Sequence, residues 1–201
     1  MLMRTVLCLL GLVMLLGGCS TAVLVPLPPE EPRPVFLLDH GRHSSLVLTT
    51  ENHNLIRYSY GDWRFYALGD SGFWQGVSAD LRKTPAGLGR RALPGPPTIE
   101  NVFRQVSVGI EQLFTLQAES AAVDRLRESL DSIYSRGADT LVYNATFDLE
   151  FVHHPRDYTL AYSSNTAVAE WLTSLGCEVS GRPILANWRL IANPSRPDSP
   201  P

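Results

Sequence analysis

The sequence predicts an α+β domain in which a small antiparallel sheet packs on helices. Two observations carry this expectation. Short apolar, β-branched and aromatic runs at 35–38, 45–49 and 55–60 are separated by polar and turn-forming residues, as half-buried strands are. Two later segments, 120–137 and 165–176, instead repeat apolar residues at helical spacing, so the strands and helices are grouped rather than strictly alternating. With 44% hydrophobic against 18% charged residues, a chain of 201 residues can fill a single core.

The first element is a targeting segment. Arg4 is followed by an apolar run from Val6 to Leu16 and then by Leu16-Gly17-Gly18-Cys19-Ser20. A membrane-spanning helix needs ~20 apolar residues to cross a hydrocarbon core of ~30 Å, so this run is read as a signal peptide over residues 1–18. Leu16 to Cys19 resembles the lipobox of bacterial lipoproteins, in which the cysteine thiol is diacylated before cleavage in front of it. The resemblance makes Cys19 the lipidation site, with acyl chains such as palmitate contributing ~0.8 kcal/mol per buried methylene to membrane retention. Ser20 stands where an aspartate would be the inner-membrane retention signal, which implies the outer membrane, with the polypeptide at its periplasmic face.

Cysteine usage follows from that reading. Cys8 leaves with the signal peptide and Cys19 is acylated, so Cys177 alone remains, which excludes an intramolecular disulfide and a zinc cluster built on cysteine pairs. Cys177 follows a predicted helix end and reads as a small buried hydrophobe. The formal net charge is −3 and no basic run exceeds Arg90-Arg91, so no nucleic-acid partner is expected.

Residues 19–34 carry Pro26, Pro28, Pro29, Pro32 and Pro34 and read as an extended linker, which at ~3.1 Å per residue lifts the domain by up to roughly 40 Å. The domain is expected over 35–192. Its first strands are Val35–Leu38, Ser45–Thr49 and Leu55–Tyr60, the last ended by Gly61-Asp62. Residues 81–98, with Pro85, Gly87, Gly89, Pro94, Gly95, Pro96 and Pro97, read as a long irregular excursion. Val108–Leu116 is strand-like. A helix follows, with Ser120 as N-cap, Val123, Leu126, Leu130, Ile133 and Tyr134 as its core stripe, and Gly137 as its stop. A second helix spans Asn165–Leu175, capped by Ser163, Ser164 and Asn165, and Ile184–Ile191 closes the domain as a strand. Residues 193–201 read as a disordered, proline-rich tail.

Three constellations carry chemistry. Gly69-Asp70-Ser71-Gly72 looks like the nucleophile segment of trypsin-like proteases and of Gly-Asp-Ser esterases. Phe73-Trp74 follows where the protease pattern continues with glycine and proline, and the Asp-x-x-His pair of the esterases is absent, so a turn is expected. Asp39, His40, His43, His53, His153 and His154 include metal-ligating types, but no His-Glu-x-x-His is present and Pro155 blocks a helix through His153-His154. No metal and no cofactor is expected. The third constellation is His43 at the start of a strand, with Tyr162-Ser163-Ser164-Asn165-Thr166 opening a late helix.

This order resembles the circularly permuted papain-like hydrolases and acyltransferases, the group containing NlpC-type cell-wall peptidases and lecithin:retinol acyltransferase. In that group an early strand bears the histidine base and a late helix opens with the nucleophilic cysteine, whose thiolate is favoured by the helix N-terminus and by the facing imidazole. A closer resemblance covers residues 35–191. It is to an uncharacterised family of bacterial lipoproteins and envelope proteins first noted near urease gene clusters. The family's His-Gly-Trp-His, Gly-Trp-Gly-Asp with Phe-Tyr, and Cys-Asn-Thr-Trp signatures match His40-Gly41-Arg42-His43, Ser59-Tyr60-Gly61-Asp62 with Phe65-Tyr66, and Ser164-Asn165-Thr166-Ala167.

The resemblance implies a permuted papain-like domain with His43 as base, Ser164 at the nucleophile position, and His53 or Asp62 orienting the imidazole. His40, Tyr60, Trp63 and Tyr66 become candidates for lining a ligand site, beside the alternative that the aromatic residues only pack the core. Serine replaces the family cysteine, and Arg42 and Ala167 replace tryptophans. A serine hydroxyl is several pKa units more basic than a thiol and requires general-base transfer with an oxyanion hole. Three readings follow: a pseudoenzyme that binds a peptidoglycan peptide or an acyl chain without turnover, a Ser/His hydrolase or acyltransferase acting on envelope peptides or lipids, and a structural or partner-binding lipoprotein.

Overall fold

Seven antiparallel strands form the centre of the computed structural model, which describes residues 20–70 and 83–192. Cys19, Ser71 and the tail 193–201 lie outside the described residues. The strands are β2 (Pro32–Asp39), β3 (Ser44–Thr49), β4 (Leu55–Asp62), β5 (Thr84–Leu93), β6 (Gln112–Glu119), β7 (Val142–Asn144) and β8 (Leu149–Tyr158). Their order across the sheet is β6-β2-β3-β4-β5-β8-β7.

Register decides which side chains share a face. Leu46 pairs with Leu37 and with Tyr58, so these three point the same way. That face is covered by α2 (Ser120–Arg136) and α3 (Ser164–Ser174), whose Val123, Leu126, Val168 and Leu172 join the same core. The alternate residues Phe36, Val47, Leu55 and Leu93 face the other way and meet Val102 of α1 (Ile99–Gln105) together with Val106. Farther along that second face, Tyr66, Ala67, Leu149 and Phe151 form a separate cluster. Antiparallel strands with helices packed on them place the chain in the α+β class.

Several elements differ from the sequence reading, each for a local reason. Most of the expected excursion is a strand: Thr84–Leu93 is β5, paired with β4 on one side and β8 on the other, while 94–98 is irregular and 81–82 lie outside the described residues. Pro85 sits where the register with β8 shifts, the kind of irregularity that tolerates proline within a sheet. A Cβ on Gly89 would lie 2.7 Å from the Phe151 ring, so this glycine clears space for an aromatic side chain on the sheet. β6 begins at Gln112 rather than Val108, and the last strand, β10 (Trp188–Ile191), is shorter than predicted. Glu119, not Ser120, is the N-cap of α2, and the Ser120 hydroxyl donates to the Glu31 carbonyl at 2.9 Å.

The N-terminal segment is the largest correction. Thr21–Leu24 forms β1, which pairs in parallel with β10 and antiparallel with β9 (Glu178–Ser180). Val23 of β1 is fully buried in the main core. The folded unit therefore includes residues assigned to a free linker, and the boundary at 35 does not hold. Thr21-Ala22-Val23-Leu24 precedes the first proline and has intact backbone donors. Pro32 and Pro34 are accommodated because that part of β2 pairs with β6 only, the pairing with β3 beginning at Val35.

Candidate functional site

Backbone geometry gathers His43, Tyr66 and Ser164 at one end of the sheet, where β3 begins, β4 ends and α3 begins. Asn165 locks this junction. Its side-chain amide donates to the carbonyls of Arg42 (3.1 Å) and Ile184 (3.2 Å), and its Oδ1 accepts from the Ser44 hydroxyl at 2.9 Å. Trp188 Nε1 donates to the same Ser44 oxygen at 2.6 Å. The start of α3 is thus tied to the residues on both sides of His43, by a buried bond to Ser44 and a part-buried one to Arg42. Ser163, the N-cap, makes no side-chain capping bond, so the run Ser163-Ser164-Asn165 is not a helix cap in the expected sense.

Tyr66 arrives by a different route. Trp63–Ala67 forms a π-helical turn directly after β4, and Asp62 starts it by accepting from the Phe65 backbone N–H at 2.9 Å. The other Asp62 oxygen accepts from the Thr84 hydroxyl at 2.5 Å. Gly61 leaves room for Tyr66, whose ring occupies the position a Cβ would take. The Tyr66 ring stands edge-on to His43 at 5.4 Å between centroids, and the Ser164 side chain lies near its phenol. Among the described residues no hydrogen bond joins His43 to Ser164. Tyr66 neighbours both.

His43 is enclosed by rings. His40 stacks on it at 4.8 Å and Phe147 meets it edge-on at 5.7 Å. Its exposure is 9%, and its Nε2 is buried with no hydrogen-bond partner. Burial, with the neighbouring His40 and the Arg57 guanidinium adding to it, pushes the His43 imidazole down to about 3. His40 is pushed down to about 4, by burial first and Arg57 second. Both rings are therefore neutral at pH 7.

A buried cation underlies this pair. Arg57 is 1% exposed, its Nε donates to the Ser45 hydroxyl at 3.0 Å, and one terminal nitrogen donates to the Phe147 carbonyl at 3.1 Å. His40 Nδ1 lies 2.7 Å from the Gly109 carbonyl, which can only accept, so Nδ1 carries the proton. Its Nε2 accepts from Ser45 at 2.9 Å. Burial lowers the Arg57 guanidinium to about 10, still charged at neutral pH.

The remaining candidates separate. Asp62 does not orient His43, because its oxygens serve the π-helical turn and Thr84. His53 lies exposed in the β3–β4 turn, at the far end of a strand that rises roughly 20 Å at ~3.3 Å per residue. Tyr60 packs with Tyr162 (5.1 Å) and His154 (4.9 Å) and donates to the Arg156 carbonyl, and Trp63 stacks on His153 at 3.8 Å. Tyr60 is a packing residue of the main core, whereas Trp63 packs against the cluster that also holds Tyr66 and Phe147. Arg57 and Phe147 were missed by sequence reasoning. A single arginine inside the apolar run Leu55-Ile56-Arg57-Tyr58 was the available signal for the first, and nothing local marks the second. Among the described residues, no group of three or more His, Cys, Asp or Glu side chains is arranged to hold a metal. Cys177 is buried, and burial pushes its thiol up to about 11.

No family model matches the chain, and neither a curated protein nor a solved structure matches it.

Chemically, an imidazole held near 3 is a weak acceptor at neutral pH, far from the value that suits a general base. Ser164 is 3% exposed and lies beside the Tyr66 phenol. What the arrangement offers is a neutral imidazole with one unpartnered nitrogen, packed among aromatic rings beside the charged Arg57.

Proposed function

We propose that this chain is a lipid-anchored envelope protein of the outer membrane, whose domain is a permuted papain-like pseudoenzyme that binds a cell-envelope ligand without turning it over. One observation carries the reading: the buried, neutral His43 with an unpartnered Nε2, packed against Tyr66 at the end of the sheet where Ser164 opens α3. A buried polar atom without a partner costs about 1–3 kcal/mol, and a ligand group that hydrogen-bonds to it recovers this. The order of the parts, a histidine before an early strand and a serine opening a late helix, supports the papain-like reading. The depressed basicity of His43 weighs against the Ser/His hydrolase. The rings packed around His43 suit a group of a peptidoglycan peptide or an acyl chain.

The test is a paired one. Titration with a muropeptide or a fatty acyl ligand is expected to move the His43 ring resonances while no hydrolysis of envelope peptides or esters accumulates. In a Ser164→Cys variant, iodoacetamide labelling at pH 7 is expected to be no faster than that of a free thiol. Turnover that Ser164→Ala abolishes overturns the proposal in favour of the hydrolase.

A further inference from the structure

Only Ser20 separates Cys19, which the lipobox resemblance makes the anchor, from β1, which begins at Thr21. Thr21 is fully buried, and its N–H donates to the Asn187 carbonyl at 2.8 Å. Gly181 sits against Ser20, where an added Cβ would lie 3.1 Å from the Ser20 carbonyl oxygen. No slack remains between the anchor position and the folded unit. The surface around Ser20 must therefore face the leaflet that holds the acyl chains.

That surface is apolar. Between β9 and β10 runs Gly181-Arg182-Pro183-Ile184-Leu185-Ala186-Asn187, with Ile184 66% and Leu185 59% exposed. Adjacent large aliphatic side chains at such exposure on a loop mark a contact surface rather than ordinary surface composition. The loop is held in place: Ala186 is buried and the Ile184 carbonyl accepts from Asn165. Arg182 and Arg42 are exposed on either side of the same Asn165 tether, positions that suit anionic headgroups. Glu111 packs against Gly41 in the neighbouring loop, so apolar insertion rather than net charge carries the contact.

We infer that the β9–β10 loop is a membrane-docking surface, with Ile184 and Leu185 entering the bilayer leaflet that carries the Cys19 anchor. The inference rests on the lipid-anchor reading above. It has a geometric consequence: Ser164 adjoins the residue that tethers this loop, so docking brings the His43 site close to molecules carried in the leaflet.

The experiment uses the full chain, processed and purified from membranes, in vesicles of phosphatidylethanolamine and phosphatidylglycerol. Leu185→Cys and, separately, Ile184→Cys are labelled with an environment-sensitive fluorophore. Asn52→Cys, in the exposed turn at the far end of β3, is the control, and buried Cys177 is replaced by alanine throughout. Blue-shifted emission at 184 or 185 and quenching by brominated acyl chains, with neither at 52, is the expected result. Emission at both 184 and 185 as aqueous as at 52, in protein whose mass shows acylated Cys19, overturns the docking surface while leaving the anchor intact. A mass without acyl chains on Cys19 overturns the anchor reading and the inference with it.

Discussion

Acid should destabilise this fold through its buried imidazoles, and His43 provides the clearest measurement. In the unfolded chain its imidazole titrates near the ordinary 6.5, whereas in the folded chain burial, His40 and Arg57 hold it near 3. Between those values the unfolded chain binds a proton that the folded chain refuses. Stability is therefore complete above 6.5 and is lost as the pH falls toward 3, at up to ~1.4 kcal/mol per pH unit. At pH 4 this one group costs about 3 kcal/mol, a large share of the 5–15 kcal/mol typical of a domain. The assay is urea unfolding followed by tryptophan fluorescence at pH 7, 5 and 4, comparing the non-lipidated Cys19→Ala protein with the same protein carrying His43→Asn. Carboxylate contributions are common to both and cancel in the comparison. The protein with His43 is expected to lose about 3 kcal/mol more than the variant between pH 7 and 4. Equal losses in the two proteins would refute the claim that His43 is held neutral by its surroundings.

Two further outcomes follow from the packing around the site. Gly61→Ala places a methyl group into the Tyr66 ring, so the ring must shift, and thermal or urea melts should show a loss of about 1–3 kcal/mol together with a changed tyrosine environment. Asn165→Ala leaves the Arg42 and Ile184 carbonyls and the Ser44 hydroxyl short of a partner. It is expected to cost about 3 kcal/mol and to raise amide exchange at the start of α3, whereas a loss under 1 kcal/mol would show that the junction is held by other contacts.

Both large helices were legible because their apolar stripes repeat at 3.6-residue spacing over several turns, a pattern that only a helix can bury on one side. β2, β3 and β4 were legible as short apolar, β-branched and aromatic runs bounded by turn-forming residues, and the sheet buries them on both faces. β5 was not, because its glycines and Pro85 carry the signature of a loop. Their role appears only when Phe151 from β8 lies against the sheet. β1 was hidden similarly: Thr21-Ala22-Val23-Leu24 is too short to announce itself beside five prolines, and its partners come from the other end of the chain. At the site, His43 and Ser164 were named from motif order, and the fold does bring their segments together. The positions of Asp62 and His53 depended on a π-helical turn and a hairpin, which no motif encodes.

What this sequence determined by itself was local: the periodic helices and the first strands. These are properties of contiguous residues, so they survive without knowledge of the partner segments. Tertiary structure decided the rest. Whether His43 is a base or a neutral hydrogen-bonding group depends on desolvation and on the charge of Arg57, which lies on the neighbouring strand. Whether residues 19–34 form a free spacer or part of the fold depends on β9 and β10, more than 150 residues later. Burial, pairing and electrostatic environment are sums over residues distant in sequence, and only the folded chain performs that sum.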